Sequence, residues 1–260
     1  MRKKPILIVV AALGLVFSGC VAYSTAEEIA PSSYVPADEA LAAGEKLFAQ
    51  RTDLEKAVSA VKTLAKARDP ENRDYKLEWK FARYSYFVGS RKETPDALAE
   101  TVLKKGIEGA RIARRMNPNK PDGHFWYAAI LGEQSKRSPV TVGVVSVKKI
   151  REAMERVIEI DPLYEGASAH DALGQLEMGS RGLAGGSVEK AIKHFEKALA
   201  LDSNNTYTHL HIGEAYLAAD RDADAKRHLE NVLKIEPKKG YEAEHKETVE
   251  QAKKLLKTKF

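Results

Sequence analysis

The chain has 260 residues, and its 42 lysines and arginines against 37 aspartates and glutamates give a formal net charge of +5 at pH 7. Three of the basic residues lie in the first four positions, and the rest of the chain carries 39 basic against 37 acidic residues. This near balance argues against a nucleic-acid-binding protein, which needs a net basic face. The single cysteine excludes an intrachain disulfide, so packing must hold the fold together.

The amino-terminal segment has the parts of a secretory signal. Three positive charges are followed by an apolar run over residues 6–17 and then by two small residues. The run is about 12 residues long, which is too short for the roughly 20 residues of a membrane-spanning helix. Cys20 comes next, and residues 17–20 (FSGC) resemble the lipobox of bacterial lipoproteins. That resemblance implies a signal peptide over residues 1–19 and diacylglycerol on the sulfur of Cys20. An ordinary signal peptide, or an uncleaved anchor, is the alternative.

A lipid on Cys20 would hold the protein at a membrane surface, since each buried methylene contributes about 0.8 kcal/mol to anchoring. Val21 stands where lipoproteins retained in the inner membrane of enteric bacteria carry aspartate. The resemblance therefore favours the periplasmic face of the outer membrane over the inner membrane. Residues 20–36 have no apolar period and are predicted to be a flexible tether. A single folded domain is predicted over residues 37–260.

From residue 37 onward, apolar residues recur at intervals of three and four, which predicts helices nearly throughout. Only residues 140–147 are rich in β-branched side chains. This stretch is too short and isolated to build a sheet. It is predicted to be a connection that runs into a helix capped by Ser146.

The helices repeat. Ala191 and Ala225 lie 34 residues apart, as do Phe195 and Leu229, and 34 residues is the period of tetratricopeptide (TPR) repeats. Small residues such as Gly213 are expected where the two helices of a hairpin come closest. The sequence therefore predicts an all-α fold, a solenoid of TPR-like helix hairpins. About five hairpins are predicted, with second helices near residues 54–67, 102–116, 150–160, 191–202 and 225–235, followed by a capping helix over residues 241–257.

Several segments resemble the TatT family of TPR lipoproteins, which are associated with TRAP-type transporters. The resemblance is carried by residues 122–132 (DGHFWYAAILG), 161–166 (DPLYEG), 180–187 (SRGLAGGS) and 218–225 (AADRDADA). It implies a lipid-anchored periplasmic scaffold that binds the substrate-binding protein of a TRAP transporter. It also implies a role in presenting an organic acid or another hydrophobic or anionic ligand.

Two of these segments contain candidate binding residues. His124, Trp126 and Tyr127 form an aromatic cluster that could line a pocket or anchor an interface, and packing between hairpins is the alternative. Arg181 lies in a glycine-rich loop, where backbone amides and a guanidinium could receive a carboxylate. A surface turn that ends a helix is the alternative there. The loop is no phosphate loop, because no strand precedes it and no Gly-Lys-Ser/Thr ends it.

A third candidate site is the concave groove that the first helices of a TPR array line. In the last hairpin, its exposed positions are predicted to be Tyr207, Leu210, Glu214 and Leu217. Aromatic, aliphatic and acidic side chains in one groove suit a helix or an extended peptide better than a polyanion. A solvated face, or one covered by the last helix, is the alternative.

No metal site or catalytic site is predicted. His209 and His211 are two residues apart and point in different directions on a helix, and four other histidines are scattered one per helix. A His-Glu-x-x-His motif, a second cysteine and a recognisable nucleophile motif are all absent from the sequence. We therefore expect no enzymatic activity, and no cofactor apart from the covalent lipid on Cys20.

Two other functions stay open at this point. Many lipidated repeat proteins act as scaffolds for outer-membrane or pilus assembly, and direct binding of a small ligand without a protein partner is a third class. The aromatic residues Tyr84, Tyr86 and Phe87 would need a partner if they were exposed, which makes a homo-oligomer an expectation as well.

Overall fold

The computed structural model describes residues 34–139, 143–182 and 184–260, and Cys20 and the predicted signal peptide lie outside them. Eleven helices occupy the described residues, and five antiparallel pairs are followed by one terminal helix, as the repeat predicted. The all-α prediction is therefore confirmed. The helices are α1 (Ala37–Phe48), α2 (Leu54–Ala65), α3 (Tyr75–Ser90), α4 (Asp96–Met116), α5 (Pro121–Arg137), α6 (Val144–Ile160), α7 (Ser168–Gly179), α8 (Val188–Leu201), α9 (Thr206–Leu217), α10 (Asp222–Val232) and α11 (Glu242–Lys259).

The pairs stack so that first and second helices form two separate layers. α3 contacts α5, α5 contacts α7, and α7 contacts α9. Within the described residues, each second helix contacts only the helices that precede and follow it in sequence. The first helices therefore line the inner, concave face of the stack, and the second helices form its outer face.

The two helices of a hairpin approach each other closely where a glycine faces a large side chain. A Cβ on Gly174 of α7 would lie 2.4 Å from the ring of Phe195 on α8. A Cβ on Gly213 of α9 would lie 3.0 Å from Leu229 on α10, so the prediction for Gly213 is confirmed. Since the apolar face of one hairpin cannot be buried by that hairpin alone, the stacking of neighbours completes the core.

The prediction that Ser146 caps a helix is wrong. α6 begins at Val144, so Ser146 is its third residue, and it is buried. The β-branched residues of this stretch lower helix propensity only slightly, and α6 buries Ile150, Met154 and Val157 along one face. That burial outweighs the local preference for a connection.

The aromatic residues of α3 belong to the core and do not form an exposed patch. Tyr84 is buried and stacks on Phe48 of α1, with ring centroids 3.9 Å apart. Phe87 meets the same Phe48 ring edge-on at 5.4 Å, and Tyr86 lies 5.7 Å from Trp126. Because these three aromatic residues pack within the chain, they give no support to the expectation of a homo-oligomer.

A buried carboxylate holds the connection between α2 and α3. Glu78 is 0% exposed, and its two oxygens lie 2.8 Å from Arg68 and 2.7 Å from Arg73. An isolated charge at this depth would be strongly destabilising, and the two arginines compensate it where α3 packs against its loop.

The carboxyl end of the chain returns to the first two hairpins. Arg51, between α1 and α2, forms two hydrogen bonds with the carboxylate of Glu244 in α11, at 2.7 and 2.9 Å. Tyr241, just before α11, donates to Glu165 at 2.7 Å and accepts from Arg83 of α3 at 3.2 Å. The chain segment that leads into α11 thus connects the two ends of the stack. We call residues 237–244 the closing segment.

Exchange of Gly174 for alanine tests the close approach of the helices. We expect Gly174→Ala to lower the free energy of unfolding by about 1–3 kcal/mol, because the added methyl group meets the Phe195 ring. Gly132→Ala is the matched control, since a Cβ there meets no atom within 4 Å. Because alanine has a higher helix propensity than glycine, Gly132→Ala should be as stable as the unmodified chain or up to about 1 kcal/mol more stable. Chemical denaturation measures both values, and equal stabilities of the two variants would contradict the prediction.

Candidate binding groove

The concave face is aromatic where α3 meets α5. The rings of Tyr86 and Trp126 lie 5.7 Å apart, and the Arg83 guanidinium lies 5.6 Å from the Trp126 ring. Trp126 also meets Phe125 edge-on at 5.0 Å. Trp126 is buried, so it joins two hairpins, and this position fits the packing alternative for the predicted aromatic cluster.

Farther along the groove, α7 and α9 bring three polar side chains together. Nδ1 of His211 lies 3.0 and 3.1 Å from the two carboxylate oxygens of Asp171. Gln175 donates to the same carboxylate at 2.7 Å. Asp171 is 6% exposed, so these two side chains take the place of water around its charge. Sequence reasoning missed this cluster, because residues 40 positions apart on different helices leave no local signal.

The electrostatics of the cluster favour a charged histidine. Burial alone lowers the pKa of His211, but the charge of Asp171 and its hydrogen bond outweigh burial, and the pKa is raised above its usual value. Glu214 lies about one turn after His211 on α9. Desolvation in the groove raises the pKa of Glu214, although the nearby His211 opposes that rise. His211 therefore lies between two carboxyl groups that favour its protonated form.

A cavity of about 300 Å³ opens beside this cluster. Its lining combines apolar and polar side chains from α7, α8 and α9, namely Gln175, Met178, Gly179, Phe195, His211 and Glu214. A cavity of this size can receive one or two side chains of a partner but not a large ligand. We therefore take the surface from Tyr86 to Glu214 on the first helices as the candidate binding groove.

The predicted groove residues of α9 divide into two groups. Tyr207 is 39% exposed and its ring lies 6.3 Å from His211, so Tyr207 and Glu214 both belong to the groove. Leu210, predicted to be exposed, is only 2% exposed. It packs in an apolar cluster to which α11 contributes, so the terminal helix covers it. Leu217 is partly buried against the same cluster.

His124 and Tyr127 lie on a different side of α5 from Trp126. Nε2 of His124 is 3.0 Å from the carbonyl oxygen of Pro118, and the guanidinium of Arg114 on α4 lies 4.4 Å from the Tyr127 ring. Both residues are buried. The predicted cluster is therefore split between the groove side and the α4 side of the helix.

The glycine-rich loop folds around a buried acid. Glu177 accepts from the Ser187 amide at 3.1 Å and from Arg151 at 2.7 Å. Arg181 is exposed and donates to the carbonyl of Met178 at 2.9 Å. Its guanidinium thus occupies the end of α7, as the surface-turn alternative describes.

His228, one of the histidines that are scattered in the sequence, forms a pair with His209 across α9 and α10. Nδ1 of His209 lies 2.9 Å from Nδ1 of His228. Burial, together with the neighbouring His209, lowers the pKa of His228 to about 4. The pair is therefore neutral at pH 7 and links the two helices of the last hairpin.

The described residues contain no group of three or more His, Cys, Asp or Glu side chains arranged to hold a metal ion. Within the same part of the chain, every helix is too short or too polar to cross a membrane.

The histidine–aspartate pair predicts a pH dependence. Because the pKa of folded His211 is raised, its contribution to stability is fully present below the unfolded value of about 6.5 and is lost as the pH rises through the folded value. In Asp171→Asn, burial and the charge of Lys136, which lower the pKa, remain against the smaller contribution of Glu214, so the pKa of His211 should fall below 6.5. Titration of the imidazole resonances by NMR measures this shift. An unchanged His211 titration in the variant would refute the assigned cause.

The comparisons with known proteins agree with this architecture. A thermophilic TPR protein of Thermus thermophilus is 18% identical, with a TM-score of 0.63, and the match covers 85% of this chain and 99% of that one. The pilF protein of Pseudomonas aeruginosa is 16% identical, with a TM-score of 0.55 and coverages of 86% and 93%. MamA of Desulfovibrio magneticus RS-1 is 17% identical, with a TM-score of 0.52 and coverages of 76% and 94%. At these identities the similarity shows a shared TPR-like fold and nothing more.

No curated protein matches the chain. A protein family does: residues 47–259 match the family described as TAtT, TRAP transporter T-component. The match covers nearly the whole helical stack, from the end of α1 to the end of α11. That family is a class of non-catalytic scaffolds, which agrees with the expectation that the chain is no enzyme. The chain therefore belongs to the TRAP transporter T-component family.

Proposed function

We propose that the chain is a lipid-anchored scaffold of the cell envelope that binds the substrate-binding protein of a TRAP transporter through its concave groove. The family match over residues 47–259 carries this proposal. The lipobox resemblance at Cys20 supports a position at a membrane, where a transporter component has to work.

The groove supports a protein partner over a free anion. Three carboxyl groups lie close enough to Tyr86 and His211 to affect their electrostatics, namely those of Glu133, Asp171 and Glu214. The groups of opposite charge are Lys136 and the protonated form of His211. An anionic ligand in this part of the groove would face like charge. A partner segment that carries basic or hydroxyl side chains would find complementary groups there.

Helix α11 restricts access to the groove. Tyr207 lies at the edge of the groove, and Thr248 and Glu244 of α11 interact with it. A partner therefore enters beside α11, and the cavity between α7 and α9 is the part it reaches. Contact with a single well-packed pocket agrees with binding energy concentrated in a few interface residues.

Reversal of one groove charge tests the partner. Full-length protein with a carboxyl-terminal tag is captured from detergent-solubilised membranes, and bound proteins are identified by mass spectrometry. We expect the substrate-binding protein with the unmodified chain and about tenfold less with Glu214→Lys, because that change removes a carboxylate from the groove. Glu155→Lys, at an exposed position of α6 on the outer face, is the matched control and should bind normally.

Recovery of an outer-membrane or pilus assembly protein, without a substrate-binding protein, would reject the proposed partner in favour of the assembly alternative. Equal capture by Glu214→Lys and by the unmodified chain would reject the groove as the contact surface.

Removal of the thiol tests the anchor. Cys20→Ala cannot carry a thioether-linked lipid, so we expect it to lose lipid labelling and the membrane attachment that the lipid provides. Labelling with radioactive fatty acid and membrane fractionation measure the two effects. Circular dichroism should show unchanged helix content, because Cys20 precedes all eleven described helices. A variant that stays labelled would exclude Cys20 as the lipid site.

A further inference from the structure

A second cavity lies away from the groove, at the corner where α4 turns into α5. It has a volume of about 340 Å³ and is lined by Arg111, Arg114, Arg115, Pro118 and His124. Arg114 and Arg115 follow Arg111 by three and four residues, so both lie beside it on the surface of α4. The proposed function makes no use of this corner.

The arginines converge without acidic partners. Within the described part of the chain, none of the three guanidinium groups forms an ion pair or donates a hydrogen bond. By contrast, Arg68 and Arg73 both bind the carboxylate of Glu78. The helix dipole favours basic residues in the last turn of α4. It does not explain why like charges that repel each other surround a shared cavity.

Tyr127 holds two of the arginines in place. The guanidinium carbon of Arg114 lies 4.4 Å from the centre of the Tyr127 ring, and that of Arg111 lies at 5.8 Å. Contact with the ring face uses the plane of a guanidinium and leaves its N–H edges available. These cations are therefore positioned before any ligand arrives.

His124 contributes a buried nitrogen without a partner. Its Nε2 donates to the Pro118 carbonyl at 3.0 Å, because a carbonyl oxygen can only accept. Nδ1 is buried and has no hydrogen-bond partner among the described residues, and the whole residue is only 7% exposed. Buried polar atoms are usually paired. His170, His194 and His245 also have an unpaired Nδ1, so it is the position of His124 at an arginine-lined cavity that points to a ligand.

His209 offers an internal comparison. Its Nε2 also lies 3.0 Å from a carbonyl six residues earlier, that of Ser203. Its Nδ1, however, is paired with His228 at 2.9 Å. In the last hairpin, Nδ1 of the histidine is thus paired with a side chain of the same chain. In the third hairpin, Nδ1 of His124 has no such partner among the described residues, and His124 lies at a cavity lined by arginines.

We propose that this corner binds a tetrahedral oxyanion of the phosphate class, with Arg111, Arg114 and Arg115 as donors and His124 as a titratable contact. Guanidinium groups recognise such oxyanions through paired N–H donors. The cavity has room for the oxyanion and a substituent of moderate size. The oxyanion comes either from a free phosphate compound or from the headgroup of an anionic phospholipid, which the predicted tether would bring near.

Binding should consume a proton. Burial lowers the pKa of His124, and the cations Arg114 on α4 and Arg156 on α6 lower it further, while the hydrogen bond to Pro118 opposes the shift. Arg156 is itself paired with Glu159 at 2.9 Å. Without an anion the ring is neutral at pH 7, and its Nδ1 accepts but does not donate. An oxyanion favours the protonated ring, so affinity should increase as the pH falls from about 8 to about 6.

Calorimetric titration of the full-length protein in nonionic detergent tests the site, first with inorganic phosphate. We expect Arg114→Gln to weaken phosphate binding about tenfold or more. Arg227→Gln, the same exchange at an exposed arginine on α10 outside the cavity, should bind normally. Inorganic sulfate then tests the proton, because sulfate does not titrate in this range. Its affinity should rise with falling pH in the unmodified protein and lose that dependence in His124→Gln, whose amide can still donate to Pro118.

A second arm separates the two sources of the oxyanion. Micelles that contain phosphatidylglycerol are compared with micelles that contain phosphatidylcholine. Binding that needs Arg114 and the anionic lipid supports a headgroup ligand, and binding of phosphate alone supports a free compound. The proposal is overturned if neither probe binds, if Arg114→Gln binds as the unmodified protein does, or if sulfate affinity is independent of pH. Circular dichroism establishes that each variant is folded.

Discussion

The close approach of two helices inside each hairpin is the constraint on which the rest of the structure depends. Gly174 under Phe195 and Gly213 under Leu229 let an inner helix lie directly against an outer one. A hairpin formed in this way still exposes apolar surface on both sides, and only stacking buries it. The chain has one cysteine, so no disulfide within the chain can replace this packing. The groove follows from it, because stacked hairpins align their inner helices.

The fold was predictable because its signal is periodic. The 34-residue spacing of Ala191 and Ala225 reports a packing rule that every hairpin repeats, and each repeat adds to the signal. The site was less predictable because its contacts are not periodic. Asp171 and His211 meet only after α7 and α9 are stacked, and Leu210 looks like a groove residue until α11 covers it. Tertiary packing also made a helix of the stretch around Ser146, where local preference favoured a connection.

Charge is distributed unevenly over the two surfaces of the stack. Carboxylates surround His211 in the groove, whereas three arginines without an ion pair among the described residues lie where α4 turns into α5. A balanced total charge conceals this separation. The two proposed sites therefore differ in the sign of the ligand they favour, with carboxylates in the groove and guanidinium groups at the α4–α5 corner.

The pairing of Arg51 with Glu244 joins positions 193 residues apart in the chain. An open repeat array is flexible along its length, because each hairpin contacts only its neighbours and small rotations between hairpins accumulate along the stack. The contact between Arg51 of the first hairpin and Glu244 of the terminal helix links the two ends of the stack. The width of the groove then depends on all the hairpins together, and local unfolding at one end of the stack has to break this contact. Widening the groove along the inner helices therefore requires that the contact between Arg51 and Glu244 break first.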